Sequence, residues 1–256
     1  MLKLYAFNCG WFQCKPSFLF EGETGPHMRA PVPAYLIDHP RGRAVFDTGI
    51  GRQFHRQREN ALPPDKFGLE WFDGMEIAAR LRALGIDPAS VDWIINSHLH
   101  IDHCGGNHLL ENATVIVQRE ELDHAMAGDL PGLYARTDYD TGQPFKAVRG
   151  EHDLFGDGTV RIVLTAGHTP GHQSVIVRLA GGDVLLAGDC CYTRRNLDLM
   201  ALPPGTVDPA TAQETLKRLM QMRRNGTRIL FGHDGLQWKS VKESVPLSAA
   251  DVPLDF

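Results

Sequence analysis

The run His98-Leu99-His100-Ile101-Asp102-His103 constrains this chain more than any other feature. It puts three imidazoles and a carboxylate within six residues, directly after the apolar segment 91–95. Alternation along an extended segment sends His98 and His100 to one side, and a turn at Asp102 and His103 can face back across a shared cavity. The sequence therefore predicts a strand that ends at a metal site, with a spacing that suits two adjacent cations.

Three later segments carry further residues of metal-ligand type. They are His168 in the run Gly-His-Thr-Pro-Gly-His at 167–172, Asp189 after Ala-Gly, and His233 after Phe-Gly. Each follows an apolar run that is typical of a strand, and a sheet delivers such side chains to one edge. We therefore expect these residues to complete a dinuclear site, because core histidines alone would not repeat this pattern.

Taken in order, the motifs resemble those of the metallo-β-lactamase superfamily. They are Asp47-Thr48-Gly49 after the strand 44–46, HxHxDH at 98–103, HTPGH at 168–172, Gly188-Asp189, and His233. The resemblance covers nearly the whole chain and implies an α/β fold, a four-layer αβ/βα sandwich, built as a single domain from residues 1–256. The length agrees, because 256 residues with 43% hydrophobic content can bury a sheet-on-sheet core.

Composition excludes several other classes of protein. The net charge is -5 and no block of lysine or arginine stands out, so nucleic acid is not indicated as a partner. No run approaches the roughly 18 apolar residues of a membrane span, and the N-terminus does not resemble a signal peptide. The five cysteines form no CxxC pattern and are odd in number, so we expect a reducing compartment, the cytoplasm.

Periodicity predicts strands at 2–7, 34–37, 44–46, 114–117, 160–164, 174–179, 184–186 and 228–231, and helices at 75–84, 119–126 and 208–224. The turn at 39–42 predicts a hairpin, and the helix at 75–84 predicts a β-α-β approach to the metals. Residues 51–73 either form an ordered excursion over the site or are a loop whose aromatics anchor it to the core. Residues 127–150 are expected to be irregular and to form part of a substrate cleft.

The resemblance to dinuclear members of the superfamily implies two zinc ions per chain. His98, His100 and His168 would hold one ion, Asp102, His103 and His233 would hold the other, and Asp189 would bridge them. Imidazole and carboxylate donors suit zinc, and His100 replaces the glutamate of the di-iron flavoprotein branch. Water shared by two dications ionises near neutral pH, so no serine or cysteine nucleophile is required.

Other residues near these motifs are expected to have supporting roles. The resemblance implies that Asp47 supports the metal ligands without binding the ions, and His172 is expected to hydrogen-bond a ligand or the backbone. We interpret Cys190 and Cys191 as small packed residues. Trp11, Phe12, Phe67 and Trp71 are candidates for an apolar groove beside the metals.

Tyr192, three residues after Asp189, matches the tyrosine of the superfamily's N-acyl homoserine lactonases. The segments SHLHIDHCGGN, HTPGHQS and GDxxY resemble those of the lactonases throughout. The resemblance implies that the substrate is a small-molecule acylated lactone and that the biological consequence is quorum quenching. It also allows a homodimer. Tyr192 would donate a hydrogen bond to the attacked carbonyl oxygen, and Asp102 would carry a proton to the departing alkoxide. The alternative for Tyr192 is a core aromatic.

Other functions remain open from the sequence. A different lactonase, or an organophosphate or arylester hydrolase, would use the same dinuclear chemistry. A glyoxalase II-like thioesterase shares the motifs, but it carries a helical region after its last histidine, and the segment after His233 is short. A non-enzymatic metal-binding protein would lack a ligand, and none is missing.

Overall fold

The computed structural model describes residues 1–54, 67–127 and 133–254. The strands of this part of the chain are β1 (Lys3–Cys14), β2 (Met28–His39), β3 (Gly42–Phe46), β4 (Phe67–Glu70), β5 (Trp93–Ile95), β6 (Thr114–Gln118), β7 (Phe145–Val148), β8 (His152–Asp153), β9 (Val160–Leu164), β10 (Gln173–Leu179), β11 (Gly182–Leu186), β12 (Arg228–Leu230) and β13 (Pro246–Leu247). The helices are α1 (Ile77–Ala83), α2 (Ile101–Cys104), α3 (Arg119–Met126), α4 (Arg136–Tyr139), α5 (Arg194–Leu199), α6 (Pro209–Arg224) and α7 (Gly235–Trp238).

The strands form two sheets. The larger has the order β13-β1-β2-β3-β5-β6-β7, with β4 also paired to β1, and the smaller has the order β12-β11-β10-β9-β8. In the larger sheet β1, β2 and β3 are antiparallel, whereas β3, β5, β6 and β7 are parallel. The parallel pairing of β3 and β5 confirms the predicted β-α-β unit, because α1 lies in the crossover between them.

The main core lies between the two sheets. Alternate residues of the larger sheet, such as Leu4, Ala6 and Ile37, pack in one cluster with Ile162 and Val175 of the smaller sheet. Each of these side chains is fully buried. Burying one leucine, isoleucine or valine contributes about 1.5 to 3 kcal/mol, so this interface is a major source of stability.

Helices cover the outer face of each sheet. Ile77 and Leu81 of α1 pack against the larger sheet, and Leu216 and Leu219 of α6 pack on the smaller one. Helix α6 begins after Asp208, whose side chain accepts a hydrogen bond from the Thr211 N–H and so caps the helix. The layers therefore follow the predicted order of helix, sheet, sheet and helix.

The ends of four strands define one edge of the sandwich. The segment after β5 carries residues 98–103, the segment after β9 carries His168, and the segments after β11 and β12 carry Asp189 and His233. Strands β9, β11 and β12 run in the same direction, so their carboxyl ends lie together. Both sheets thus supply residues to the same edge.

Several elements differ from the sequence expectation. β1 extends to Cys14, well beyond the predicted end at residue 7. The second half was not predicted because a bulge between Asn8 and Trp11 shifts the register and interrupts the alternation that marks a strand. β2 begins at Met28 although it contains two prolines, which usually weaken a strand. Helix α1 is shorter than the predicted 75–84, whereas the predicted helix 119–126 and strand 160–164 are confirmed.

The two segments expected to be excursions contain regular structure. Residues 67–70 pair with β1 as β4, and residues 145–148 extend the parallel part of the larger sheet as β7. Such four-residue strands are too short for periodicity to reveal. The remaining parts of these expectations at 55–66 and 128–132 lie outside the described residues. In the part that the structure describes, no helix is both long and apolar enough to cross a membrane.

Candidate metal centre

The seven side chains predicted as metal ligands lie together at the shared edge of the two sheets. They are His98, His100, Asp102, His103, His168, Asp189 and His233, and none is more than 7% exposed. The segment from the first of these residues to the last contains 136 residues, so the side chains come together only when the chain folds. A buried collection of imidazoles and carboxylates is the environment in which proteins hold transition metals.

The candidate ligand atoms form three overlapping sets, of which two share no residue and the third joins His98, His103 and Asp189 across them. We call the two separate sets the first and the second group. In the first group, His98, His100 and His168 offer nitrogens that lie within 4.8 Å of one another. The Nε2 atoms of His98 and His168 are 2.8 Å and 3.3 Å from Nδ1 of His100. The second group is Asp102, His103 and His233, whose ligand atoms also lie within 4.8 Å of one another. These are the two sets that the resemblance implies.

Asp189 lies between the two groups. Its Oδ1 atom is 3.2 Å from Nε2 of His103 and 3.1 Å from Nε2 of His233. Its Oδ2 atom faces the other group, at 3.5 Å from Nε2 of His168 and 3.9 Å from Nε2 of His98. One carboxylate oxygen therefore faces each group, which is the arrangement that a bridging ligand needs.

The outer ring nitrogens of three of these imidazoles contact the surrounding protein, whereas Nδ1 of His168 has no hydrogen-bond partner among the described residues. Nδ1 of His98 lies 2.9 Å from Oγ of Ser97, and Nδ1–H of His233 donates to the Pro31 carbonyl at 2.8 Å. Nδ1 of His103 contacts the Asp47 carboxylate. Such contacts fix the orientation of each ring and leave Nε2 facing the site.

His172 supports Asp189 through the backbone, as expected. Its Nε2 accepts a hydrogen bond from the Asp189 N–H at 2.9 Å, and its Nδ1 lies 2.9 Å from Oγ1 of Thr165. Gly188, just before Asp189, has a φ of 58°, and a Cβ there would lie 2.9 Å from Nε2 of His172. Glycine is required here because a side chain would displace the turn that presents Asp189.

The first group is held in its neutral form. Burial, and then the neighbouring imidazoles, lower the pKa of His98 well below its ordinary value. Burial and the adjacent His168 lower the pKa of His100 to about 3. Neutral imidazoles keep a lone pair free, which is the form that binds a metal ion.

The second group has the opposite electrostatics. Burial lowers the pKa of His103, but the carboxylates of Asp189 and Asp102 outweigh burial and raise the pKa well above its ordinary value. Burial raises the pKa of Asp189, but His233 and His103 outweigh it, so the pKa of that carboxyl lies well below its usual range. This concentration of carboxylates attracts positive charge, and a bound cation would replace the protons on the imidazoles.

The donor set fits metal ions. Nε2 of His103, Nε2 of His233 and Oδ1 of Asp189 are buried. Oδ1 lies 3.1 to 3.2 Å from both nitrogens, but among the described residues none of the three atoms makes a hydrogen bond of acceptable geometry. Buried polar atoms without partners are costly unless they bind an ion. All three face the space between Asp189 and the second group.

Tyr192 borders a narrow cleft that opens onto the ligand groups. Its ring stacks on Phe18 with 5.5 Å between centroids and lies 4.9 Å from the ring of His233. Burial, and then the charges of Asp189 and Asp102, raise the pKa of Tyr192 well above its ordinary value. The phenol therefore stays protonated and can donate a hydrogen bond into the cleft. The lining residues are Phe12, Phe18, His100, Ile101, Asp102, Leu133, Asp189 and Tyr192.

The family model of the Metallo-beta-lactamase superfamily matches residues 28–233. The chain belongs to the metallo-beta-lactamase superfamily. Among its curated relatives is the N-acyl homoserine lactonase AttM of Azorhizobium caulinodans, which is 34% identical over 95% of this chain and 97% of its own length. The N-acyl homoserine lactonase AiiA of Bacillus thuringiensis subsp. kurstaki is 30% identical over 94% of this chain and 96% of its own length.

Solved structures of lactonases share the fold of this superfamily member. A structure of an N-acyl homoserine lactone hydrolase with the product N-hexanoyl-L-homoserine at its catalytic metal centre has a TM-score of 0.86 and 28% identity. The two structures match over 96% of this chain and 98% of the chain of that hydrolase. A structure of an AiiA variant from Bacillus thuringiensis with N-decanoyl-L-homoserine bound at its active site has a TM-score of 0.84 over the same shares of the two chains, at 28% identity.

The expected apolar groove is only partly made of the residues predicted for it. In this superfamily member Phe12 lines the cleft beside the ligand groups. Trp11 lies instead under the guanidinium of Arg29, at 4.1 Å, and Trp71 packs in a core cluster with Phe54. The side chain of Phe67 lies outside the described residues.

Sequence reasoning missed some residues of the site and read others correctly. Phe18 and Leu133 line the cleft, but nothing in their spacing distinguishes them from ordinary loop anchors. Glu121, treated only as part of a helix, is buried beside the ligand segments. Cys190 and Cys191 are free, buried and packed in a hydrophobic cluster, as predicted.

Proposed function

We propose that this protein is an N-acyl homoserine lactonase that opens the lactone ring with two zinc ions bound. The reaction adds one water to the ring ester and yields an N-acyl homoserine. Full-length relatives named N-acyl homoserine lactonase and neighbouring structures with N-acyl homoserine products bound support this substrate class. If the lactones are bacterial signals, the consequence is quorum quenching.

The seven buried ligand-type residues are proposed to hold the metals. His98, His100 and His168 would bind one zinc, and Asp102, His103 and His233 the other, with Asp189 shared between them. Two such ions, when bound, ionise water near neutral pH and polarise a carbonyl group. The distances around Asp189 and its unpartnered Oδ1 atom support this division.

The observation that carries the lactonase proposal is the location of Tyr192. Its phenol borders the cleft together with Asp102 and Asp189. A protonated phenol at this point can donate a hydrogen bond to the ester carbonyl oxygen as negative charge develops there. In this proposal Tyr192 would contact the reacting group of the substrate.

Asp102 is proposed to move the proton that the reaction requires. Its Oδ2 atom faces the imidazoles, at 3.4 Å from Nε2 of His103 and 3.7 Å from Nε2 of His233. The other oxygen then remains for a proton taken from the attacking water. Transfer of that proton to the ring oxygen completes ring opening, since the departing alkoxide must be protonated.

The walls of the cleft suit the acyl part of such a substrate. Phe12, Phe18, Ile101 and Leu133 present aromatic and aliphatic surface beside the polar ligand groups. The cleft itself has a volume of only about 30 Å³, so an amphipathic ester would place its carbonyl near Tyr192 and only the first carbons of its chain against these side chains. A small, fully polar ester lacks this second contact.

A substrate panel tests the proposal directly. Acid release is measured with acyl-homoserine lactones, a glutathione thioester, a phosphotriester and a β-lactam, using the zinc-loaded protein. We expect kcat/KM to be highest for an acyl-homoserine lactone. A higher kcat/KM for the thioester or the phosphotriester than for every lactone would contradict the lactonase proposal and leave the metal site intact.

We also propose that residues 1–256 act as one domain in the cytoplasm, for which the resemblance allows a homodimer. Both sheets contribute to one core and to one ligand edge, which supports the single domain. All five cysteines are buried and free, which supports a reducing compartment. Sedimentation of the purified protein measures the assembly, and a monomer at micromolar concentration would contradict the dimer.

A further inference from the structure

Glu121 is a fully buried carboxylate near the start of α3 that belongs to neither ligand group. Its Oε1 atom accepts hydrogen bonds from the Leu99 N–H at 3.0 Å and from the Tyr134 hydroxyl at 2.8 Å. Its Oε2 atom accepts a hydrogen bond from the Gly171 N–H at 3.2 Å. One buried carboxylate therefore joins three segments that are far apart in the sequence, and these three donors offset the cost of burying it.

Each of the three donors is adjacent to a member of the first group. Leu99 lies between His98 and His100 in the chain, and Gly171 lies in the turn that follows His168. The ring of Tyr134 meets the ring of His100 edge to face, with 4.6 Å between centroids. The contacts of Glu121 thus reach the segments or the rings of His98, His100 and His168.

The second group is held by other contacts. His103 is held by Asp47, and His233 by the Pro31 carbonyl. The hydrogen bonds of Glu121 come from Leu99, Tyr134 and Gly171, and none comes from the residues that hold His103 or His233. Loss of Glu121 should therefore affect one metal position and leave the other unchanged.

The contact between Gly171 and α3 leaves no room for adjustment. A Cβ at Gly171 would lie 2.2 Å from the backbone nitrogen of Glu121. The turn after His168 therefore packs directly on the helix, and glycine is required by this close approach. A small displacement of the Glu121 side chain would be transmitted to the backbone that presents His168.

We propose that Glu121 is a positioning residue for the first metal group, which it holds by hydrogen bonds to the two segments carrying His98, His100 and His168. This inference deepens the proposed function, because it rests on a metal ion bound by those three imidazoles. Ligands held in place before binding lose less freedom when the ion arrives, so the affinity for the ion is higher. Glu121 touches neither the ion nor the substrate.

Glu121→Gln and Glu120→Gln form a matched pair of variants. A glutamine at 121 has one acceptor oxygen, so its NH₂ group must face either the Gly171 N–H or the donors of Leu99 and Tyr134. Either one or two of the three hydrogen bonds are then lost, while size and shape stay the same. Glu120 is the adjacent residue, is partly exposed and pairs with Arg149, so its amide variant controls for the change in charge.

Metal affinity is measured by competition for zinc with a chromophoric chelator, and the ligand geometry by the visible absorption of the cobalt(II) form. In Glu121→Gln one of the two equivalents should bind about tenfold to a hundredfold more weakly, with an altered cobalt spectrum. Glu120→Gln should match the wild type. The Asp102→Asn substitution removes a carboxylate of the second group, so the one zinc ion that this variant still binds is held by the first group. Adding Glu121→Gln to Asp102→Asn should weaken the binding of that ion.

Two outcomes would overturn the proposal. One is equal affinity of Glu121→Gln and Glu120→Gln for both equivalents. The other applies if Glu121→Gln does not fold. Tyr134→Phe is then measured, because it removes one of the three hydrogen bonds and keeps the ring against His100. Unchanged zinc affinity and an unchanged cobalt spectrum in Tyr134→Phe would overturn the proposal. The proposed function fails separately, if the wild type binds two zinc ions in this manner yet opens no acyl-homoserine lactone.

Discussion

Oδ2 of Asp47 lies 2.8 Å from Nδ1 of His103. Asp47 also accepts hydrogen bonds from Ser97, through the backbone N–H at 2.7 Å and the hydroxyl at 2.8 Å. Its φ is 56°, a left-handed conformation that costs free energy for a residue other than glycine. The aspartate is therefore held at the end of β3 in a strained backbone, where it orients a ring of the second ligand group.

Asp47→Asn should weaken metal binding at the second group. An amide cannot accept hydrogen bonds from both His103 and the Ser97 backbone, so the ring of His103 loses its fixed proton at Nδ1. Residues that orient a ligand in this way typically contribute about tenfold to a hundredfold to metal affinity. Zinc competition with a chelator measures the loss, and excess zinc should restore most of the activity.

The control for this variant is Asp38→Asn. Asp38 lies on β2, where it pairs with Arg43 at the partly exposed end of the hairpin, away from the ligand groups. It should leave zinc affinity unchanged. Equal affinity in Asp47→Asn and Asp38→Asn would show that the contact with His103 does not orient a metal ligand.

Two zinc equivalents should bind to the wild type and one to Asp102→Asn. Asp102 belongs to the second group alone, so its loss should leave His98, His100 and His168 able to hold an ion. Mass spectrometry of the metal content after dialysis counts the ions. A single equivalent in the wild type, unchanged by Asp102→Asn, would contradict the dinuclear arrangement.

Removal of the metals should also lower the stability of the fold. A ligand at about 1,000 times its Kd stabilises the native state by about 4 kcal/mol per site. For a chain of this size each kcal/mol shifts the Tm by about 2 to 4 °C, so loss of one ion should lower the Tm by about 8 to 16 °C and loss of both ions by about twice as much. Calorimetry before and after chelation measures the shift, and added zinc should reverse it.

The sequence identifies the candidate ligands because imidazole and carboxylate side chains are the residue types that bind metal ions. His98, Asp189 and His233 each follow a strand, and imidazole or carboxylate at the end of a buried strand has few other uses. Glu121 could not be found in this way, since its partners include the backbone N–H groups of Leu99 and Gly171, which any residue type can offer. Its role depends on which segments the fold brings together.

The fold was predictable where alternation is regular and not where it is interrupted. Strand β9 and helix α3 were predicted within their observed bounds. The register shift after Asn8 interrupts the alternation, so the second half of β1 could not be predicted from the sequence. β4 pairs with that half and could not be predicted either. A strand stabilised by a distant partner leaves little local signal in the sequence.

Tyr192→Phe should lower kcat/KM for an acyl-homoserine lactone about tenfold to a hundredfold without loss of metal. A donor fully engaged with a developing oxyanion contributes about 2.7 to 4 kcal/mol, and we expect less because bound metal shares the charge. Steady-state kinetics and metal analysis on the same preparation test this. Unchanged kcat and KM would mean that the phenol has only a packing role against Phe18.

A matched buried phenol separates catalysis from packing. The Tyr139 hydroxyl donates to the Ala125 carbonyl at 2.8 Å, and the residue is not among those that line the cleft. Tyr139→Phe should reduce stability by about 1 kcal/mol, as expected for a lost buried hydrogen bond, and leave kcat/KM unchanged. A similar loss of activity in both variants would assign the effect of Tyr192→Phe to the fold.

The identity of the product distinguishes ring opening from cleavage of the acyl amide. Tyr192 and Asp102 both line the cleft, and the substrate has two carbonyl groups, the ring ester and the acyl amide, that the proposed reaction would have to distinguish. Ring opening adds the mass of one water to the intact substrate, and acid should re-close the ring. Amide cleavage would release a fatty acid and homoserine lactone, which acid does not rejoin. Mass spectrometry should show the ring-opened species before acidification and the re-closed lactone after it. We expect this result because the ester is the better electrophile and the ring oxygen is the better leaving group. Free fatty acid as the main product would refute lactone opening.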